Sequence, residues 1–342
     1  MYCFDKFHCS LLDGRMQEAY EIMLNGIKNR VLTINLGGKY SVEEVKKIYE
    51  CILYDNPRIF YVDHEFIVAS GVMSQFRPKY THSNRAVKRL DRKIDKYLEQ
   101  MKKAFEKRND TTDLAKVRYV HDWCLEKFSC NHKIGQVSHT VIGPIFASKA
   151  VCDGISKFVK LALNHLGLNA LVVVGASKNP TKCKDELLHA WNIVEINGYC
   201  FHLDVAYDLF LTEKINRYDY YCLADCDIQR DHTIDDIMPA CNTGGDYFEN
   251  ADLVASSFKE LADIIDRHIQ KPGTAHFCVK LSGIAFTENI VDKLMTCALE
   301  RYMTHHNVAD VKVNVRYNYK QMVFEILLRP KKKIKQYLEI AL

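Results

Sequence analysis

Most features that announce a function class are missing from this sequence. Across 342 residues, 47 Lys and Arg stand against 43 Asp and Glu, a net charge of only +4. Bulk charge therefore gives no case for nucleic acid or for an anionic membrane. No apolar run approaches the roughly 20 residues of a membrane span. The clearest, residues 170–174, suits a buried strand. The start, Met1-Tyr2-Cys3-Phe4-Asp5-Lys6-Phe7-His8, has no apolar core region, so no signal peptide is expected. There is no internal repeat and no low-complexity stretch. A Gly-rich phosphate loop, a Cys-x-x-Cys, a His-Glu-x-x-His and an acidic loop spaced for calcium are all absent. Cys222 and Cys226 stand four apart, and Cys297, His305 and His306 cluster on one segment, but structural zinc sites show paired close spacings. No metal and no cofactor is expected.

Thirteen cysteines, an odd number scattered without a framework, point to free thiols in a reducing compartment, hence a cytoplasmic protein. A hydrophobic share of 48% and a charged share of 26% are ordinary for a soluble globular protein. The length allows two domains or three.

The chemistry gathers in residues 151–208. Ile155, Phe158, Val159, Ala162 and Leu166 recur at i, i+3, i+4, i+7 and i+11, the stripe of a buried helix. Gly167 follows where a helix end favours positive φ. Cys152 then falls in the first turn. Unpaired backbone N–H groups and the positive end of the helix dipole favour its thiolate there.

Residues 189–196 and 199–205 read as two strands joined by Asn197-Gly198, the strongest short hairpin signal. A two-residue turn sets the register, so Ile196 faces Tyr199 and Trp191 faces Asp204. His189 becomes a diagonal neighbour of Asp204 on one face, with Cβ atoms about 7 Å apart. Asp204 inside an apolar strand is costly without a partner, and His189 is the nearest. An imidazole oriented by a carboxylate and facing a thiol is the geometry of covalent acyl transfer.

Around this centre the chain reads as three regions. Residues 1–110 form an N-terminal α/β support region. It has helical stripes on Met16, Ala19, Tyr20, Met23 and Ile27 and on Val42, Val45, Tyr49 and Ile52, the second opened by a Ser41/Glu44 capping box. Strands are expected at 31–36, 59–63, 65–70 and 73–80, and a long helix with a charged outer face follows on Val87, Leu90, Ile94, Tyr97, Met101 and Phe105. Residues 111–245 are the catalytic core. They contain a helix at 113–128, a loop-rich entry at 129–149, a strand at 168–174, whose following Gly175 carries little information alone, and a polar loop at 177–186. Residues 246–342 hold a linker helix at 257–268, a small β-α-β-β unit and a basic tail at 331–335.

The centre of the chain resembles the transglutaminase-like superfamily, a branch of the papain-like cysteine enzymes, in its bacterial type. The resemblance rests on Val151-Cys152-Asp153-Gly154-Ile155-Ser156, on His189-Ala190-Trp191-Asn192-Ile193-Val194, and on His202-Leu203-Asp204-Val205-Ala206-Tyr207-Asp208. It continues through Tyr220-Tyr221-Cys222-Leu223-Ala224-Asp225 to Arg230-Asp231-His232-Thr233, and upstream at Asp55-Asn56-Pro57-Arg58-Ile59-Phe60-Tyr61. It implies an α+β fold: a transglutaminase-like (papain-like) core in which the Cys152 helix packs on an antiparallel sheet. It implies Cys152 as nucleophile, His189 as general base and acid, and Asp204 as its orienter, with a thioester intermediate on an amide substrate. Backbone N–H groups at the helix start would supply part of an oxyanion hole. Where bacterial relatives often carry a tyrosine, this chain has Cys130-Asn131; Trp123, Asn131, His132 and His139 are the upstream candidates for a second donor.

Peptidase- or amidase-like hydrolysis is favoured over transamidation, because no site for an amine acceptor is visible. The expected partner is a protein or peptide substrate, with no nucleic acid and no membrane. The competing class is a non-catalytic interaction module that keeps the fold, whose mark would be a buried Cys152 without contact to His189. Gly154 is expected to permit close helix packing. His202, Asp208 and His232 are expected to be structural.

Overall fold

The computed structural model describes residues 4–69, 71–130, 135–178, 186–234, 236–242 and 245–330. The basic tail and most of the 177–186 loop lie outside them. The chain divides into two compact units, one of Met1–Asn179, Lys184–Asn216 and Tyr220–Gly244, the other of Pro180–Cys183, Arg217–Asp219 and Gly245–Leu342.

In the first unit, the early stripes become helices Gly14–Lys28 and Val42–Asp55. Asp13 caps the first through the Met16 N–H, and Ser41 and Glu44 make the expected reciprocal box on the second. Val42 turns out to water despite its place in the stripe. Asp55, buried at the second helix's end, accepts from the backbone N–H groups of His8 and Cys9 and from the Tyr20 hydroxyl, all at 3.0 Å. One carboxylate thus ties three segments together. The strand expected at 31–36 shrinks to Ile34–Asn35, with Val31 and Leu32 exposed. The segments expected at 59–63, 65–70 and 73–80 resolve into two strands, Val62–Ala69 and Gln75–Tyr80. The short strand pairs with Gln75–Tyr80, which pairs in turn with Val62–Ala69, all antiparallel.

The long helix, Asn84–Phe105, buries Ile94, Leu98, Met101 and Phe105. Helix Asp113–Lys127 follows, capped by Thr112, and packs beside the helix Cys152–His165. The Cys152 helix buries Ile155, Phe158, Val159, Ala162 and Leu163 against an antiparallel sheet. Its strands lie in the order Tyr199–Leu203, Glu186–Ile196, Ala170–Lys178, His232–Ile234. Leu171, Val173, Trp191 and Ile193 from this sheet join Tyr207, Leu211, Tyr220 and Leu223 in one core. Each such side chain contributes about 1.5–3 kcal/mol on full burial.

The second unit is a four-stranded sheet in the order Val254–Ala255, Ala275–Leu281, Val323–Pro330, Val311–Asn318. Helices Phe258–His268 and Glu288–His306 supply Leu261, Ile264, Ile265, Leu294, Ala298 and Tyr302 to its core. Within this unit the buried Arg217 guanidinium is held by Asp219 and Glu325. The β-α-β-β order is as read from the sequence, with the Val254–Ala255 strand added in parallel. Among the described residues no helix is long and apolar enough to cross a membrane.

Candidate active site

The hairpin turn sets the register of the site. Ile196 pairs with Tyr199, Glu195 with Cys200, Ile193 with His202 and Asn192 with Leu203. Asn197 and Gly198 both take positive φ, as a tight two-residue hairpin turn demands. Continuing this register puts Asp204 opposite Trp191, with His189 on the diagonal. The His189 Nε2 lies 2.7 Å from Asp204 Oδ2.

The expected strand at 199–205 is shorter than its pattern suggests. It ends at Leu203, and Asp204 is the N-cap of helix Val205–Leu211. The physical reason is the side chain itself: Asp204 Oδ1 accepts the Tyr207 N–H at 3.0 Å, satisfying a donor the new helix would leave open. One oxygen therefore starts the helix while the other faces the imidazole.

Cys152 is the first residue of its helix, behind Val151 in extended conformation. Its thiol is partly exposed and acts electrostatically on the His189 ring. With Nε2 committed to Asp204, Nδ1 is the nitrogen left for sulfur. Two packing details hold the geometry. Asn192, on the histidine strand, donates to the Ser156 carbonyl at 3.0 Å and to the Leu171 carbonyl at 3.1 Å. That bond fixes the first turn of the Cys152 helix to the strand that carries His189. Gly154, expected to permit close helix packing, instead admits the backbone of Gly135–His139: a Cβ there would fall 2.1 Å from the Ser138 carbonyl oxygen.

Burial works against a charged His189, but the Asp204 carboxylate, hydrogen-bonded to the ring, and the neighbouring Cys152 outweigh it and hold the imidazole up to about 10. Burial works equally against the Asp204 carboxylate. His189 and His232 outweigh it and hold the carboxyl well below the usual range. The arrangement favours an imidazolium at His189 backed by the Asp204 carboxylate.

His232 is the residue that sequence reading undervalued. Its Nε2 lies 3.1 Å from the same Asp204 Oδ2, and its Nδ1 lies 2.7 Å from Asp231 Oδ1. Gly175 makes this approach possible. A Cβ at Gly175 would sit 2.0 Å from the Thr233 carbonyl oxygen, so only glycine lets the 232–234 strand close on the sheet. The glycine that alone carried little information in the sequence thus has a definite task. His202 and Asp208 take the structural places expected of them. His202 accepts from the Trp191 indole N–H at 3.1 Å and faces Asp225 at 2.8 Å. Asp208 pairs with the fully buried His121 at 3.0 Å and accepts the Tyr220 N–H at 3.1 Å. Trp191 stacks beside His189 with ring centroids 5.9 Å apart and closes the site from the core side.

Among the upstream candidates, Trp123 donates its indole N–H to the Tyr97 hydroxyl at 2.8 Å, and His139 faces Asp153 at 3.4 Å. Asn131 and His132 lie outside the described residues. His64, His139 and Asp153 offer three ligand atoms within 4.8 Å of one another. However, the Lys157 ammonium sits 2.8 and 3.0 Å from the two Asp153 oxygens and 3.1 Å from the His139 carbonyl. The carboxylate is thereby already neutralised, and the group acts as a clasp between the residue after Cys152 and the His139 loop. It draws on three distant stretches, which is why no spacing announced it.

Residues 101–205 match the family model described as the transglutaminase-like superfamily. No curated protein matches the chain. Three solved structures are similar over parts of it. A candidate cysteine protease from Cytophaga hutchinsonii is 18% identical at a TM-score of 0.28, over 33% of this chain and 37% of its own. A TGase is 14% identical at 0.30, over 65% of this chain and 64% of its own. A candidate protease from Parabacteroides distasonis ATCC 8503 is 11% identical at 0.26, over 79% and 62%. This chain thus spans less than two thirds of each of these three. The central segment is thus similar to the transglutaminase-like superfamily, within a chain of mixed helix and sheet.

Proposed function

We propose that this transglutaminase-like chain is a cysteine-dependent acyl-transfer enzyme acting on amide bonds of a protein or peptide. Cys152 is the nucleophile, His189 the general base and acid, and Asp204 the orienter. One observation carries the reading: a single buried imidazole lies between a carboxylate at 2.7 Å and a partly exposed thiol at a helix start. A non-catalytic module would be marked by a buried Cys152 out of contact with His189; the partial exposure of Cys152 supports the enzyme reading instead.

In the forward step the Cys152 thiolate attacks the amide carbonyl carbon, and a C–S bond forms. Backbone N–H groups at the start of the Cys152 helix face the developing oxyanion. As the C–N bond breaks, the His189 imidazolium gives its proton to the departing amine. The thioester is then resolved by water, whose proton returns to His189 as the acid forms and sulfur leaves. A primary amine in place of water would give transamidation by the same steps. We favour hydrolysis, because no amine-acceptor site is apparent among the described residues around Cys152. A reducing, cytoplasmic setting, proposed from the odd and scattered cysteines, keeps the nucleophile reduced.

The test is to trap the thioester. A peptide-amide mixture is mixed with the protein and quenched in acid, and the Cys152 peptide is weighed by mass spectrometry. A hydroxylamine-labile acyl adduct on Cys152, absent in Cys152→Ser, is the expected result. Parallel runs with added primary amine separate hydrolysis from transamidation by product mass. No adduct on Cys152 with any amide donor overturns the proposal.

A further inference from the structure

The carboxylate behind His189 is shared with a second buried imidazole. From Asp204 Oδ2 the chain of contacts runs 3.1 Å to His232 Nε2, then 2.7 Å from His232 Nδ1 to Asp231 Oδ1, then 2.6 Å from Asp231 Oδ2 to the Tyr220 hydroxyl. His232, Asp204 and Asp231 are all buried. Both ring nitrogens of His232 therefore face carboxylate oxygens. Only an imidazolium can donate to both; a neutral ring would set a lone pair against one of them. The titratable groups facing His232 are Asp204 and Asp231, then His189, Tyr207 and Tyr220, with rings 5.0–5.5 Å away, and His202 behind Trp191. Two carboxylates outweigh the neighbouring imidazoles, so the charge balance agrees with the hydrogen bonds.

We propose that His232 is a positioning residue: a fixed imidazolium between Asp204 and Asp231 that holds Asp204 on His189 and draws off part of its charge. This rests on the reading of His189 as the partner of Cys152. Asp204 alone, buried and serving one imidazole, would bind the His189 proton so tightly that transfer to a leaving amine becomes slow. Sharing the oxygen with a second cation weakens that hold. A like charge about 5.5 Å away acts directly as well. At an effective dielectric constant of about 20 it is worth about two pH units at the neighbouring ring.

The experiment compares two alkylating agents at Cys152 across pH, in wild type, His232→Gln, Asp231→Asn and His189→Ala. Iodoacetate is anionic and is helped by a facing imidazolium; iodoacetamide is not. Their rate ratio therefore falls as His189 loses its proton. In wild type the ratio should fall near pH 10, following the raised imidazole of His189. In His232→Gln, whose amide can still donate to Asp204, the fall should move up by at least about one pH unit, roughly tenfold in proton affinity. Asp231→Asn removes the charge that keeps His232 protonated and must shift it in the same direction. It also tests the idea if His232→Gln does not fold. A merely structural role would slow both reagents alike or, by loosening Asp204, move the fall down. A fall at the wild-type pH or below it in both variants overturns the proposal. If the wild-type ratio has no fall and His189→Ala matches wild type, the Cys152–His189 pairing itself has failed.

Discussion

The Asn192 side chain donates to the carbonyl of Ser156, and through that bond the strand of His189 grips the first turn of the Cys152 helix. Ser156 is also tied to its own helix, with its hydroxyl donating to the Cys152 carbonyl at 2.8 Å. A buried amide that is neither the thiol nor the imidazole thus ties the Cys152 helix to the strand of His189. Asn192→Leu removes two donated bonds. It should cost about 2–3 kcal/mol of stability by urea denaturation. It should also slow alkylation of Cys152 near neutral pH several-fold, because the imidazole no longer sits in register with sulfur.

Gly154 gives a sharper geometric test. Its missing Cβ is what lets the Ser138 carbonyl approach, so Gly154→Ala forces either that loop or the helix start to move. A loss of about 1–3 kcal/mol is expected from overpacking. Cys152 reactivity should fall with it, since Val151, the N-cap, is itself bonded to the Ser138 carbonyl at 3.2 Å. Thermal melts and alkylation rates on the same preparation check both.

Asp204 should write its charge into the pH dependence of stability. Its folded carboxyl lies below the unfolded value, so its contribution is full above pH ~4 and is lost as pH falls. His189 lies above its unfolded 6.5, so its contribution is full below that and is lost as pH rises toward about 10. The stability difference between wild type and Asp204→Asn should therefore be widest between about pH 4 and 6.5, at roughly 2–4 kcal/mol, and narrow on both sides. Urea midpoints from pH 3 to 10 measure it. In the same variant, acyl transfer should fall by about a hundredfold or more at every pH.

Asp55 separates stability from chemistry. It bonds two backbone N–H groups and the Tyr20 hydroxyl in the N-terminal region, and neither Cys152 nor His189 is among these partners. Asp55→Ala should cost about 2–4 kcal/mol. The pH profile of Cys152 alkylation should not move in the fraction that stays folded.

The hairpin was legible in the sequence because a two-residue turn leaves no freedom in register: once Asn197-Gly198 is placed, the His189–Asp204 diagonal follows. The Cys152 helix was legible because its apolar stripe has only one period. Asp204 as a helix cap was not, since a capping aspartate and a strand aspartate look alike until the following backbone turns. His232 was hidden for a different reason. Its meeting with Asp204 depends on a strand 28 residues away pairing across Gly175, and no local pattern encodes which strand a glycine will admit. The edge strand at 31–36 was over-read, since Val31 and Leu32 face water and only Ile34 and Asn35 are paired.

The central claim is that Cys152 and His189 form a charged pair, and the most direct measurement is the rate of Cys152 alkylation by iodoacetamide against pH. Mass spectrometry separates this site from the other twelve cysteines. The account predicts reaction well below pH ~8.5, where an ordinary thiol ionises, and a profile displaced upward in His189→Ala. A Cys152 that is inert in the folded protein, or that follows the ordinary thiol profile unchanged by His189→Ala, contradicts it.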